Sequence, residues 1–388
     1  MQCLHLIYQT LKKINYDGTK FAKNFLGGKM KSSIFENLFV LELANNHWGN
    51  IHRGMKIIKD FAEIIKKNNI KAAIKFQFRD VDNFIHTDFK RKTGMRYVDK
   101  TLNTKISWKN MKKMLDEVRK KGILTMATPF DEYSINKCKK FNIDLVKIAS
   151  SDAKDKSFIN KVSSLYIPTI VSTGGCFEND IDWIYEHFKY KNVPLAINHC
   201  VSLYPSEDHQ LELNQIDFLK NKYKDITIGF SSHEYNTWDY SLMIAYAKGA
   251  RTFERHIDVD HENIPVSKYC SLPHQIDHWF NAFKKVKELC GEASIKRREI
   301  CDEEKEYLDK LVRGVYIKKN INKNKQIELN DVYFSIPKLE GQISCQEFQS
   351  GLFSAKYLKK NKPLFNEDIY IFKKENNIKS KLRQKDKY

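Results

Sequence analysis

The chain has 388 residues, 41% of them hydrophobic, and no apolar run approaches the roughly 20 residues of a membrane span, so it reads as one large domain plus a small one with no membrane partner. The net charge of +19 comes from lysines spread throughout, as in KKINYDG, KKNNIK and KKNINKNK, without a basic patch interleaved with aromatics; nucleic acid is excluded as an expected partner, and a small anionic substrate fits the field. Eight cysteines are scattered singly without a CxxC pair, and MQCLHLIYQTLKK meets its charges too early for a secretory signal, which together predict a reduced, cytoplasmic setting.

Residues 1–37 are polar and aperiodic and read as an N-terminal extension. FVLEL (39–43) then reads as a buried strand, and residues 51–69 as an amphipathic helix with Ile51, Met55, Ile58, Phe61 and Ile65 on one face. AAIKF (72–76) leads, after a long excursion, to a helix over 107–121, then LTMA (124–127) and a helix near 131–140. LVKI (145–148), TIV (169–171), LAIN (195–198), TIGF (227–230) and TFER (252–255) follow, with helical stretches between them. Short apolar strands with helical crossovers imply a parallel sheet covered on both faces. Eight such units over residues 38–290 predict an α/β fold, a closed (β/α)8 TIM barrel; a doubly wound open sheet is the alternative, but no GxGxxG follows any strand. Residues 291–311 are charged and helix-prone and read as a linker helix, 312–372 as a small β-rich domain, and 373–388 as a basic, disordered tail.

Barrel chemistry sits at the C-terminal ends of the strands, so the polar residues there are the candidates. Strand one supplies Glu42 and strand two Lys75 and Gln77; Thr128 ends strand three, and Lys147 lies on strand four with Ser150 and Asp152 beyond. Strand five leads into Ser172 and Gly174-Gly175, strand six into His199, Ser202 and Tyr204, strand seven into Ser231 and His233, and strand eight gives Glu254, Arg255 and His256. A lysine inside an apolar strand is costly unless paired or met by an anion. Lys75 and Lys147, with hydroxyls around them, suit a phosphate or carboxylate; pairing with Glu42 or Glu254 is the purely structural reading. His233 and His256 flank the crossover helix 237–248, which Gly249 stops, so they end neighbouring strands about 4.8 Å apart. They read either as two ligands of one divalent ion or as two loop residues bonded to backbone.

In this order the strand ends LELANNHWGN, AIKFQ, ATPFD, VKIAS, IVSTGG, NHCVSLYP, IGFSSH and FERHID resemble the sialic acid synthase (N-acetylneuraminate synthase) family over most of residues 38–260. GVYIKKNINKNKQIELNDVYF and SGLFSAKYLKKNKPLFNEDI are similar to the antifreeze-like (SAF, β-clip) domain that follows the barrel in that family. The resemblance implies a transferase that condenses phosphoenolpyruvate with an N-acetylmannosamine-type aldose to a nonulosonic acid and phosphate. It implies a divalent metal, Mn²⁺ before Mg²⁺ or Co²⁺, on His233 and His256, and a substrate site at Lys75, Gln77, Thr128, Lys147, Ser150, Ser172, Ser202, Tyr204 and Ser231. Glu42 and Glu254 match active-site acids, Asp152 is a third candidate acid that stands where a glutamate is common in the family, and the assembly implied is a domain-swapped homodimer with each small domain capping the partner's barrel. Two departures stand out. The SAF-domain arginine is replaced by Ile336 in SIPK (335–338), and the sugar loop after strand eight reads PVSKYCSL (265–272). A different or phosphorylated aldose, or a non-catalytic sugar-binding relative, are the alternative readings.

Overall fold

The computed structural model describes residues 34–371 except 92, 262 and 293–295. The tail at 373–388 and nearly all of the extension at 1–37 therefore lie outside the described residues. The chain divides into two units, residues 1–292 and 293–388.

In the first unit eight parallel strands close on themselves: β1 (Leu38–Ala44), β2 (Ala72–Phe78), β3 (Leu124–Pro129), β4 (Leu145–Ile148), β5 (Thr169–Ser172), β6 (Leu195–Cys200), β7 (Thr227–Ser232) and β8 (Thr252–Ile257) follow in order, and β8 pairs back onto β1. A two-residue strand, β9 (Cys270–Ser271), adds to β8. The main crossover helices are α1 (Ile51–Asn68), α2 (Arg96–Asn103), α3 (Trp108–Lys120), α4 (Glu132–Lys140), α5 (Lys156–Ser163), α6 (Glu178–Lys191), α7 (Gln215–Lys222), α8 (Trp238–Lys248) and α9 (Pro273–Cys290). This is the (β/α)8 barrel expected, with most strands running one or two residues further than their apolar cores.

Alternation along each strand decides what faces where. The outward set, among it Phe39, Leu41, Ile74, Phe76, Val146, Val171, Ile197 and Phe253, packs against the helices. Ile57, Ile58, Phe61 and Ile65 of α1 are all buried there, each worth about 1.5–3 kcal/mol. The inward set begins apolar: Leu38, Val40, Ala73, Met126, Leu145, Ile170 and Ala196 cluster with Phe35, which is 1% exposed. Phe35 thus plugs the N-terminal end, and barrel packing begins before residue 38. Two residues further along each strand the inward positions turn polar. Gly229 is required within that layer, because a Cβ there would stand 1.8 Å from Thr252 Oγ1 and 2.3 Å from Asn198 Oδ1.

The second unit holds α10 (Asp302–Asp309), an antiparallel pair of β10 (Gly314–Ile317) with β12 (Val332–Ser335), and an antiparallel sheet of β11 (Gln326–Ile327), β13 (Leu352–Ser354) and β14 (Ile369–Ile371). Val315, Ile317, Ile321, Ile327, Val332, Ile343, Leu358 and Leu364 form its own core. The expected linker helix over 291–311 is helical only at α10 among the described residues; Gly291, at φ 64, ends α9. Ile336, which stands at the departure noted above, is 62% exposed and precedes a cis proline.

Candidate active site

Glu42, Lys75, Lys147 and Glu254 lie on β1, β2, β4 and β8, all inward and all buried. Lys75 Nζ pairs with both carboxylates, touching Glu42 and lying 3.0 Å from Glu254 Oε1, and donates to Thr128 Oγ1 at 3.3 Å. Lys147 Nζ donates to both oxygens of Glu254, at 2.8 and 3.0 Å, and Ser231 Oγ adds a hydrogen bond at 3.2 Å. Burial alone would raise the Glu254 carboxyl, but Lys147 and Lys75 outweigh it and hold it well below the usual carboxylate range. Burial pulls both lysines down. Lys75, with two carboxylates on it, is nevertheless raised; Lys147, with one carboxylate and the Lys75 charge nearby, stays lowered. Two carboxylates thus hold the two cations in place beneath the mouth, as the paired reading of these lysines expects.

Beside them is a hydroxyl cradle. Ser150 Oγ accepts from the Gly174 N–H at 3.1 Å, and a Cβ on Gly174 would come within 2.2 Å of Ser202 Oγ and 2.9 Å of Ser150 Oγ. Gly174 is what lets these two serines converge. Ser172 Oγ is buried on β5 without a hydrogen-bond partner, a donor left over for a ligand. Cys200 Sγ lies behind them, 3.7 Å from Ser150 Oγ and 3.9 Å from Ser202 Oγ.

His233 and His256 face each other with ring centroids 5.5 Å apart. Burial, then the His256 and Lys147 neighbourhood, push His233 down to about 3; burial, then Lys75, Lys147 and Lys100, do the same to His256, Glu254 opposing weakly in both. Both rings are neutral at physiological pH, as metal ligands must be. His233 Nδ1 donates to the Val201 carbonyl at 3.0 Å, which leaves Nε2 as the free acceptor, and His256 Nδ1 is buried with no partner. With metal–nitrogen bonds of about 2.1 Å, two rings at this separation suit one ion. Among the described residues no third His, Cys, Asp or Glu completes a ligand set, so two imidazoles are what the protein offers. Tyr204, 53% exposed, lies 4.1 Å from the His233 ring, and Tyr269 of the 265–272 loop lies 5.1 Å from the His256 ring.

At the rim Gln77 Nε2 donates to Glu42 Oε1 at 3.3 Å. Asp152 takes a hydrogen bond from Ser151 Oγ at 2.8 Å and, among the described residues, contacts neither lysine; burial raises its pKa, opposed by Ser151 and by Arg79. His199, the last residue but one of β6, faces outward: its Nε2 donates to the Leu211 carbonyl at 2.7 Å and its ring stacks on Phe230. Arg255 also points out, to Ser271, Ser232 and the Glu234 carbonyl. The sequence reading missed Arg53, whose fully buried guanidinium bonds Asp258 at 2.7 Å and the carbonyls of Asn46 and Val259, stapling the loop after β1 to the loop after β8. It also missed Arg79 on the rim; Asn46, in the NNH run (45–47) that follows strand one, donates its Nδ2 hydrogen to the Ile257 carbonyl at 2.8 Å. Arg53 sits at a helical position on the face opposite a charge run, a signal too weak to find from spacing alone.

The C-terminal mouth of this barrel thus gathers two buried, carboxylate-paired lysines and two facing imidazoles. The chain belongs to the NeuB family, whose model matches residues 65–294, more than half of it. It is 30% identical to the pseudaminic acid synthase of Campylobacter jejuni over 230 residues, 57% of this chain and 65% of that one, so it spans just under two thirds of that relative. It is 22% identical over 351 residues to the N-acetylneuraminate-9-phosphate synthase of Drosophila melanogaster, covering 84% of this chain and 92% of the other. Among solved structures, a spore coat polysaccharide biosynthesis protein E from Chromobacterium violaceum superposes with a TM-score of 0.79 at 28% identity, over 86% of this chain and all of that one.

Proposed function

We propose that the protein is a synthase that joins phosphoenolpyruvate to the aldehyde of an N-acetylmannosamine-type aldose, forming a nonulosonic acid and releasing phosphate. The observation that carries this reading is the convergence of Lys75, Lys147, His233 and His256 on one mouth of the barrel beside Glu42. The names of the family relatives, a pseudaminic acid synthase and an N-acetylneuraminate-9-phosphate synthase, support it.

In this reading Lys75 and Lys147 neutralise the carboxylate and phosphate of phosphoenolpyruvate, and Thr128, Ser150, Ser172, Ser202 and Ser231 donate to their oxygens. Glu254, held ionised by both lysines, is too weak a base to act on water and instead fixes the cations. His233 and His256 would hold a divalent ion, Mn²⁺ before Mg²⁺ or Co²⁺, which supplies Lewis-acid polarisation of the aldehyde oxygen. C3 of the enol gives its electron pair to the aldehyde carbon, whose oxygen takes up a proton. Water adds at C2 and passes a proton to Glu42, which Gln77 orients; phosphate then leaves C2 with the bonding pair as the keto group forms. Asp152, Gln77 and Tyr204 line the aldose side of the mouth. The C-terminal unit serves as an antifreeze-like SAF domain in a domain-swapped homodimer, and the scattered cysteines without a CxxC pair favour work in the reduced cytoplasm.

The test is phosphate release by the purified protein from phosphoenolpyruvate and a panel of N-acetylated hexosamines, with the keto acid identified by mass. Release without any aldose, or no release with every aldose, refutes the synthase reading; release that survives both chelation and His233→Ala removes the metal from it. Light scattering at a monomer mass would refute the dimer.

A further inference from the structure

The ladder between β7 and β8 ends where Ser232 pairs with Arg255, and the ladder between β6 and β7 ends at Ser231. His256 lies within β8 and pairs with Glu42 of β1, whereas His233 is the first residue beyond β7. The sheet alone therefore does not fix one imidazole against the other, and a hold outside it has to keep the rings 5.5 Å apart.

Strand alternation turns Glu254 and His256 inward and sends Arg255, between them, to the outer face. The other outward residues there, Phe253 and Ile257, are apolar and fully buried. Arg255 is only 1% exposed, at a position where an aliphatic side chain would pack without the desolvation cost of a charge. All three guanidinium nitrogens are engaged within the protein. Nε donates to Ser271 Oγ at 2.5 Å, Nη1 to Ser232 Oγ at 3.2 Å and Nη2 to the Glu234 carbonyl at 2.6 Å, while Nη1 lies 3.5 Å from Glu234 Oε1. The Trp238 ring lies over the group at 5.6 Å.

Two of these partners, Ser232 and Glu234, flank His233, so one rigid planar fork ties both to β8. The hold continues from Glu234, which bridges Ser206 in the loop after β6. The Ser206 N–H donates to the His233 carbonyl at 3.2 Å, and the same loop supplies the Val201 carbonyl that His233 Nδ1 meets. Glu234 Oε1 also accepts from the Ser241 hydroxyl on α8. Ser271, the third partner, lies on β9 two residues after Tyr269, whose ring packs against His256.

We propose that Arg255 is a positioning residue for the imidazole pair: through Ser232 and Glu234 its fork sets where His233 stands against His256, and with it the affinity and geometry with which the two rings take a divalent ion. This rests on the metal-holding part of the reading above. An ordinary buried ion pair would contribute stability alone, and metal affinity would then rise and fall with stability.

The test uses the full chain, stripped of metal, in titrations with Mn²⁺ and Co²⁺ beside thermal melting of the metal-free protein. Arg255→Met leaves Glu234 buried without its cation; it should lower the melting temperature by about 6 °C or more and weaken Mn²⁺ binding about 10-fold to 100-fold. Two further variants part the effects. Arg255→Lys keeps a charge beside Glu234 but cannot span three partners, and Glu234→Gln/Arg255→Met removes both charges together. Each should regain about half or more of the lost melting temperature, and neither should regain Mn²⁺ affinity. In both, the visible absorption of bound Co²⁺ should shift from that of the native protein, because that spectrum follows coordination geometry. Native Mn²⁺ affinity in either variant, or a native Co²⁺ spectrum in both, overturns the proposal. Ser232→Ala removes one arm of the fork and decides the matter if neither of the others folds: about 5-fold weaker Mn²⁺ binding upholds the proposal and unchanged binding overturns it. A native protein that takes up neither ion refutes the metal pair and the positioning role together. Variants that bind less Mn²⁺, in a protein that releases no phosphate from phosphoenolpyruvate with any aldose, uphold the positioning role and refute the synthase.

Discussion

Glu254→Gln tests the arrangement beneath the mouth most directly, because it removes a charge without changing volume. The native carboxylate receives Lys147 at 2.8 and 3.0 Å, Lys75 at 3.0 Å and Ser231 at 3.2 Å. In the variant Lys75 keeps Glu42 and Thr128, whereas Lys147 loses its one carboxylate. Removing one partner of a buried pair costs about 3–5 kcal/mol. At about 2–4 °C per kcal/mol for a domain of this size, the melting temperature should fall by roughly 6–20 °C. Because the native carboxyl is depressed below its ordinary 4.5, its contribution is complete above that pH and is lost as the pH falls further. The difference between variant and native protein should therefore be full at pH 7 and shrink below about 4.5. Differential scanning calorimetry at both pH values measures it. A variant that melts within 2 °C of the native protein at pH 7 would show that Lys147 does not depend on Glu254, and the account of how the lysines are held would fail.

His233→Ala and His256→Ala should each weaken Mn²⁺ binding about 100-fold or more, read by electron paramagnetic resonance of the free ion. Because both rings titrate near 3 instead of 6.5, Mn²⁺ affinity should stay flat from pH 8 to about 5, while the unfolded chain takes up protons first and stability declines as pH falls below 6.5. Gly174→Ala drives a methyl to 2.2 Å from Ser202 Oγ, so the KM for phosphoenolpyruvate should rise about 10-fold with a stability cost of about 1–3 kcal/mol, checked by kinetics and urea titration. Arg53→Met leaves Asp258 buried without its cation and should cost about 3–5 kcal/mol in the same urea titration.

The barrel was legible because its strands are two-sided: LVKI and TIV are apolar on both faces, and only a covered parallel sheet buries both. The inward polar residues were legible for a related reason, since Lys75 and Lys147 interrupt runs that are otherwise apolar. His199 shows where reading strand ends without their alternation fails. In LAINHC, Ala196, Asn198 and Cys200 share the inward face, and His199 goes out with Leu195 and Ile197. Arg79 escaped notice because one more basic residue after a strand looks ordinary in a chain of net charge +19; its surroundings come from Phe130, distant in sequence, as well as from Gln77 two residues before it. Phe35 was hidden by its polar surroundings, SSIFEN, where one aromatic has no periodic partner. The connector was overread as a helix since charge and propensity alone do not pin a segment that packs nothing; α10 buries no residue.

Phe35 and the ring of Leu38, Val40, Met126, Leu145 and Ile170 stop the lumen at one end. Traffic through the barrel is consequently one-way in geometry but two-way in time: whatever enters last stands between the first arrival and the outside. For the reaction proposed, the deeper reactant must arrive before the shallower one, and inorganic phosphate formed in the depth cannot depart until the nine-carbon product has cleared the exit.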